Sequence, residues 1–207
     1  MNKEILKKVL SGIVSSIEEE KNYLIELDGN MGDGDLGLTM YNGFSALYNE
    51  IDNLDCSDLG LATMKLGMKM NSVVPSTMGT LISICLIRGS KAFKGKSSIT
   101  LNDIVNFGEY AVDGVVEVGK TKIGNKTMLD ALYPAVKSLK ESNSKGLSIK
   151  DAFEKAYLAA SNGVEETITM KSVHGRAAYY GDKSIGNPDP GATAVKFIIK
   201  GIYNSLN

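Results

Sequence analysis

Asp28-Gly29-Asn30-Met31-Gly32-Asp33-Gly34-Asp35-Leu36-Gly37-Leu38-Thr39 interrupts an otherwise helical pattern and organises the reading of the whole sequence. Its three carboxylates are separated by glycines that let the backbone fold tightly around a shared point. From Asn22 to Met64 there is no Lys or Arg, against eight Asp and Glu. Two like charges about 4 Å apart at an effective dielectric of about 20 repel by roughly 4 kcal/mol. Three converging aspartates therefore call for a cation between them. Oxygen-only donors favour Mg²⁺, Mn²⁺ or Ca²⁺ over zinc. A calcium EF-hand fails on register, because counting from Asp28 puts Asp33 where Gly is required and Thr39 where Glu is required. Mg²⁺ on Asp28, Asp33 and Asp35, with positions left open to phosphate oxygens, fits better than calcium. The competing reading is a plain Asp/Gly turn without a ligand. Three acids with no positive neighbour favour the metal.

On both sides of this stretch apolar residues recur at helical spacing. Residues 3–20 carry Ile5, Leu6, Val9, Leu10, Ile13, Val14 and Ile17 on one stripe, and Leu38 to Ile51 continue the period. Ser57-Asp58 caps a third helix running to Val73, and a fourth runs from near Met78 to about Phe93. Thr100 opens a fifth, Thr127 a sixth, and Ser148 with Asp151 a seventh ending near Val164. Asp189 as N-cap with Pro190 at the first helical position opens the eighth. Met64, Met68 and Met70 read as core filler. Eight helices with short connections and no strand alternation predict an all-α fold, either an up-and-down bundle or a closed helical barrel.

The 207 residues suit a single domain over 1–207, with no linker composition to divide it. A net charge of −1 excludes a basic nucleic-acid footprint and a polybasic membrane patch. Leu81–Ile87 is the longest apolar run, far short of the ~20 residues of a membrane span. Isolated Cys56 and Cys85 fit a reducing cytoplasm. The lysine-led N-terminus has an amphipathic period and acids at 18–20 rather than a signal-peptide pattern.

The other unusual sequences also fall at helix starts. They are Pro75-Ser76-Thr77-Met78-Gly79-Thr80, the run from Gly119 to Met128, and the run from Gly175 to Gly191. Helix N-termini present free N–H groups and a positive dipole end to anions. Singly, each corner reads as a capped turn. Together they open helices two, four, six and eight, whose starts share one end of an up-and-down array. A metal from the first corner and phosphate donors from the others then line one pocket. Gly119–Thr127 is not a P-loop, because Asn125 intrudes before Lys126 and no strand precedes it. The lone histidine, His174, is weak evidence for catalysis. Arg176, one of two arginines with Arg88, is a better candidate for offsetting phosphate charge.

Taken together, Asp28 with Gly32-Asp33-Gly34-Asp35, Lys126 to Leu132, Gly175-Arg176-Ala177, and Ser184-Ile185-Gly186 through Asp189-Pro190-Gly191-Ala192 resemble the nucleotide-binding subunit of bacterial dihydroxyacetone kinases. The resemblance covers essentially the whole chain. It implies a closed barrel of eight antiparallel helices with ADP or ATP at one end. It also implies two Mg²⁺ ions at Asp28, Asp33 and Asp35. Nucleotide contacts map onto Leu36, Gly37, Leu38, Thr39, Thr77, Met78, Gly119, Met128, Arg176, Asp189, Pro190 and Gly191, with Arg176 the catalytic residue. The implied partners are a K subunit that holds the ketose and, in the phosphotransferase-dependent branch, an M subunit that recharges resident ADP. The short chain suits that branch, and a homodimer in the cytoplasm is expected.

Departures cluster at the site. Leu36 and Asn187 stand where the family usually has His, Asn125 where Asp is common, and Met78 where a serine is usual. Two alternatives are a fatty-acid-kinase-type nucleotide domain, against which Gly175–Gly191 argues, and a nucleotide-loaded adaptor without turnover. An ATP-dependent kinase subunit for another ketose is a third.

Overall fold

The computed structural model describes residues 2–207, and those residues form eight α-helices with no strand. The helices are α1 (Lys3–Gly29), α2 (Leu36–Glu50), α3 (Leu59–Val73), α4 (Thr77–Gly89), α5 (Leu101–Gly119), α6 (Leu129–Ser144), α7 (Ile149–Thr167) and α8 (Pro190–Ser205). Short 3₁₀ turns cover Ile51–Asn53, Ser90–Phe93 and Arg176–Ser184.

Local chemistry sets most of the starts. Asp58, Ser76, Ser148 and Asp189 each accept from the backbone N–H three residues on. Thr100 and Asp103 form a reciprocal capping box. Each such cap stabilises its helix by about 1 kcal/mol. Several boundaries differ from the sequence expectation: α6 takes Met128 rather than Thr127 as its N-cap, with no side-chain cap bond, and α7 runs past Val164 to Thr167. α1 runs nine residues beyond Glu20, because Leu24 and Leu27 continue the buried stripe and no breaker precedes Gly29. α4 stops at Gly89 and tightens into the 3₁₀ turn ending at Phe93.

Each helix packs on the next, and α1 closes on α8, so the array is a ring. The seams run antiparallel: Gly67 of α3 faces Ser83 and Ile87 of α4, Gly108 of α5 faces Val136 of α6, and Gly163 of α7 faces Asp130 and Pro134 of α6. At the closing seam Ser16 Oγ donates to the Phe197 carbonyl at 2.9 Å. There the backbones nearly touch, since a Cβ on Gly12 would lie 2.5 Å from the Gly201 oxygen. Side chains from every helix fill the interior, among them Ile17, Met40, Leu47, Leu66, Met70, Val115, Leu129, Ala156 and Ala194. Met70 is fully buried and Met64 half-buried, but Met68 is 54% exposed, so that position of the methionine stripe faces outward rather than filling the core.

Antiparallel alternation puts the starts of α2, α4, α6 and α8 at one pole. The connection between α7 and α8, residues 168–189, is the longest in the chain and lies at that pole. No described helix is long and apolar enough to cross a membrane.

Candidate functional site

The aspartate corner is built across a helix junction. Asp28 belongs to the last turn of α1, whereas Asp33 and Asp35 lie on the connection to α2. Gly34, at φ +70°, turns the backbone back on itself, bringing its Cα close to Gly29. One carboxylate oxygen from each of Asp28, Asp33 and Asp35 then lies within 4.8 Å of the others. Asp28 Oδ2 accepts from the Asp35 N–H at 3.1 Å and the Leu36 N–H at 3.4 Å, so it sits against the N-terminus of α2. Even so, its pKa is raised, by partial burial first and then by the charges of Asp33 and Asp35, against the pull of those amides. A carboxylate whose neighbours resist its ionisation gains from a divalent cation, and the all-oxygen donor set fits Mg²⁺. The Arg176 guanidinium reaches in from the 168–189 connection and pairs with Asp33 at 2.5 Å.

The other three corners join this one. Gly191, at the start of α8, faces Met128 at the start of α6: a Cβ on Gly191 would lie 3.4 Å from the Met128 nitrogen. Gly119, at the end of α5, lies against Leu81 of α4. Val173 N–H donates to the Asn125 carbonyl, and Asn125 Nδ2 meets His174 Nε2 at 3.1 Å. His174 is therefore a hydrogen-bonding residue of the loop. Arg88 pairs with Glu117 on the outer surface between α4 and α5, clear of the aspartate corner.

The nucleotide-contact positions present themselves differently. Leu38 and Thr77 are exposed, and Met78, Gly119, Pro190 and Gly191 are half-buried. Leu36, Gly37, Thr39, Met128 and Asp189 are buried. For Leu36 the reason is plain: its side chain joins the hydrophobic core, leaving only backbone facing the corner. Asp189 is occupied as the α8 cap, accepting from Ala192 N at 2.7 Å, while its own N–H is held by Thr167 Oγ1 at 2.8 Å. Burial, aided by the nearby Asp130 carboxylate and offset partly by Lys126, pushes its pKa up to about 7.

Sequence reading assigned no task to Lys126 or Asp130, yet both are buried at this pole. Asp130 shapes the loop before α6, accepting from Gly124 N at 2.5 Å and Thr127 N at 2.8 Å. Lys126, at φ +57°, turns inward and donates to the carbonyls of Met170, Ser184 and Asn187. Its partners lie 44 to 61 residues away, so no local pattern announces it.

The sequence profile of the DAK2 domain matches residues 30–204. The chain belongs to the DAK2-domain family. It is 38% identical over 181 residues to the PEP-dependent dihydroxyacetone kinase ADP-binding subunit DhaL of Escherichia coli K12, covering 87% of this chain and 86% of that one. Among solved structures it superposes on the dihydroxyacetone kinase of C. freundii in its native form with a TM-score of 0.76 at 21% identity, over 99% of this chain and 35% of that one. The same enzyme in complex with AMP-PNP and Mg²⁺ gives a TM-score of 0.73 at 22% identity, over 96% and 33%. This chain thus spans about a third of the length of the C. freundii enzyme, and the closed helical ring is the fold shared between them.

Proposed function

We propose that this chain is the nucleotide- and magnesium-holding subunit of a dihydroxyacetone kinase, passing a phosphoryl group to a ketose presented by a separate K subunit. The observation that carries the reading is the gathering of Asp28, Asp33 and Asp35 at the pole where α2, α4, α6 and α8 all begin. The names of the E. coli and C. freundii relatives, with their ADP, AMP-PNP and Mg²⁺, supply the nucleotide and the acceptor class.

In this reading Asp28, Asp33 and Asp35 hold two Mg²⁺ ions, since three carboxylates offer more oxygens than one such ion takes beside phosphate and water. Bound magnesium supplies charge neutralisation to the phosphate oxygens. The free first-turn amides of α2 (Gly37, Leu38) and α4 (Thr77, Met78) donate to phosphates. Leu36 and Thr39, whose N–H groups are held by Asp28 and Asp35, shape the walls around them, as do Asp189, Pro190 and Gly191 at the start of α8. Gly119 and Met128 line the nucleotide's flank. Arg176 is the catalytic residue: its planar fork exchanges Asp33 for the charge that develops during transfer. Little covalent chemistry falls to the protein, whose contribution is positioning and electrostatics.

The E. coli relative is PEP-dependent, which favours a resident ADP recharged by a phosphocarrier M subunit. A cytoplasmic, dimeric particle completes the proposal, with sedimentation velocity reading the dimer. The deciding assay mixes this chain with a purified K subunit, dihydroxyacetone and either ATP or a phosphorylated M subunit. Dihydroxyacetone phosphate should form only with the K subunit present, and Arg176→Ala should slow it about a hundredfold or more. Tight nucleotide binding without turnover would make the chain an adaptor instead.

A further inference from the structure

Residues 168–189 form a strap with a closed neck and an open tip. At the neck, Gly186 N–H donates to the Ile168 carbonyl at 2.8 Å and Ser172 N–H to Ser184 Oγ at 2.9 Å. The tip carries Arg176 and ends in Tyr179, which is 93% exposed. Few apolar contacts hold it: of residues 176–184 only Ser184 is buried. Such a segment samples many positions unless something ties it to the barrel.

Asn125 of the pre-α6 loop holds Val173 and His174, and Arg176 pairs with Asp33, but the buried tie at the neck is one side chain of that same loop. Lys126 is 4% exposed, and its ammonium donates to Ser184 O at 2.5 Å, Asn187 O at 2.7 Å and Met170 O at 3.2 Å. All three donor positions of an ammonium are thereby used, on carbonyls from both sides of the neck. Burying an ammonium is costly unless it is fully hydrogen-bonded. The left-handed backbone at Lys126 adds strain that a non-glycine residue ordinarily avoids. Two unfavourable features at one residue are offset by one arrangement only, in which the strap neck closes over the amine.

Resting on the function proposed above, we propose that Lys126 is the positioning residue that fixes the strap to the pre-α6 loop and so sets where Arg176 stands over the aspartate corner. Lys126 reaches the transferred phosphate only through Arg176.

Trypsin reads the strap directly, because Lys171, Arg176 and Lys183 are all exposed there. Lys126→Met keeps the length of the side chain without its donors, and Lys126→Gln keeps one amide donor group. Circular dichroism selects whichever variants hold the helical fold, and the milder Gln carries the test if Met does not fold. In ligand-free protein, cleavage within 168–189 should rise about tenfold or more in Met and less in Gln, since proteolysis tracks the open population. With the K subunit present, kcat should fall while KM for the nucleotide changes little. The Lys126→Met/Arg176→Ala double variant should be no slower than Arg176→Ala alone. Unchanged cleavage, or losses that multiply in the double variant, would overturn the assignment. Failure of the function itself shows separately, as wild-type chain that neither binds Mg·ADP nor turns over, whatever the strap does.

Discussion

Asp189 shows how far a single residue can be read without its surroundings. The Asp-Pro-Gly sequence marks it as a helix cap, and it is one. Its burial beside Asp130 and Lys126 depends on residues about sixty positions earlier and is not written locally. The consequence is a pH dependence. The folded pKa of about 7 lies above the unfolded carboxyl value of 3.8. Between these values the unfolded chain has released a proton that the folded chain retains, so stability falls as pH rises from about 4 to about 7. One carboxyl can contribute at most about 1.4 kcal/mol of loss per pH unit across that window. Asp189→Asn retains the capping oxygen and removes the titration. In urea unfolding at pH 4.5 and pH 7.5, wild type should lose roughly 2 kcal/mol more than the variant across that interval. Equal losses would remove Asp189 as the source. Asp28, Asp33 and Asp35, by contrast, were legible as a cluster because glycine spacing is a local property. The expected lack of a positive neighbour does not hold, since Arg176 reaches Asp33 from far along the chain.

Helices are the part of the molecule that the sequence states most clearly. Apolar period placed all eight, with errors at ends where the buried stripe simply continued, as at Leu24 and Leu27, and at α6, where Met128 stands at the cap in place of Thr127. The strap escaped notice as an element because a 3₁₀ turn with one buried residue has no hydrophobic period to read. The α1–α8 seam is likewise silent: Gly12 and Gly201 are ordinary helix glycines until the ring closes and their backbones meet. An alanine at Gly12 would gain about 1 kcal/mol of helix propensity in isolation. In the ring its methyl group would meet the Gly201 oxygen at 2.5 Å and Ser205 Cβ at 2.8 Å. Backbone cannot yield there without opening the seam. Gly12→Ala should therefore destabilise by about 1–3 kcal/mol and lower the melting temperature by roughly 2–10 °C. A melting temperature at or above wild type would show that α1 and α8 are not held this tightly.

Across the whole chain, the deciding feature is parity. Corners separated by forty or more residues matter together only if alternate helix starts share a pole. The closed antiparallel ring meets that condition. What parity does not reveal is the wiring between corners, which runs through Lys126, Asp130, Thr167 and Ser184. The departures take on meaning only here: Leu36 belongs to the core, and Asn125 bonds His174 at the base of the strap.

In the proposed function, magnesium held by three acids and polyphosphate held by helix starts form one joint site. Thermal or chemical unfolding of the purified chain with ADP alone, Mg²⁺ alone and both together tests it most directly. Both together, at a hundred times their joint dissociation constant, should add about 2.7 kcal/mol of stability. Either alone should add far less, and Asp33→Asn should abolish the joint gain. No joint gain, or one that survives Asp33→Asn unchanged, would contradict it.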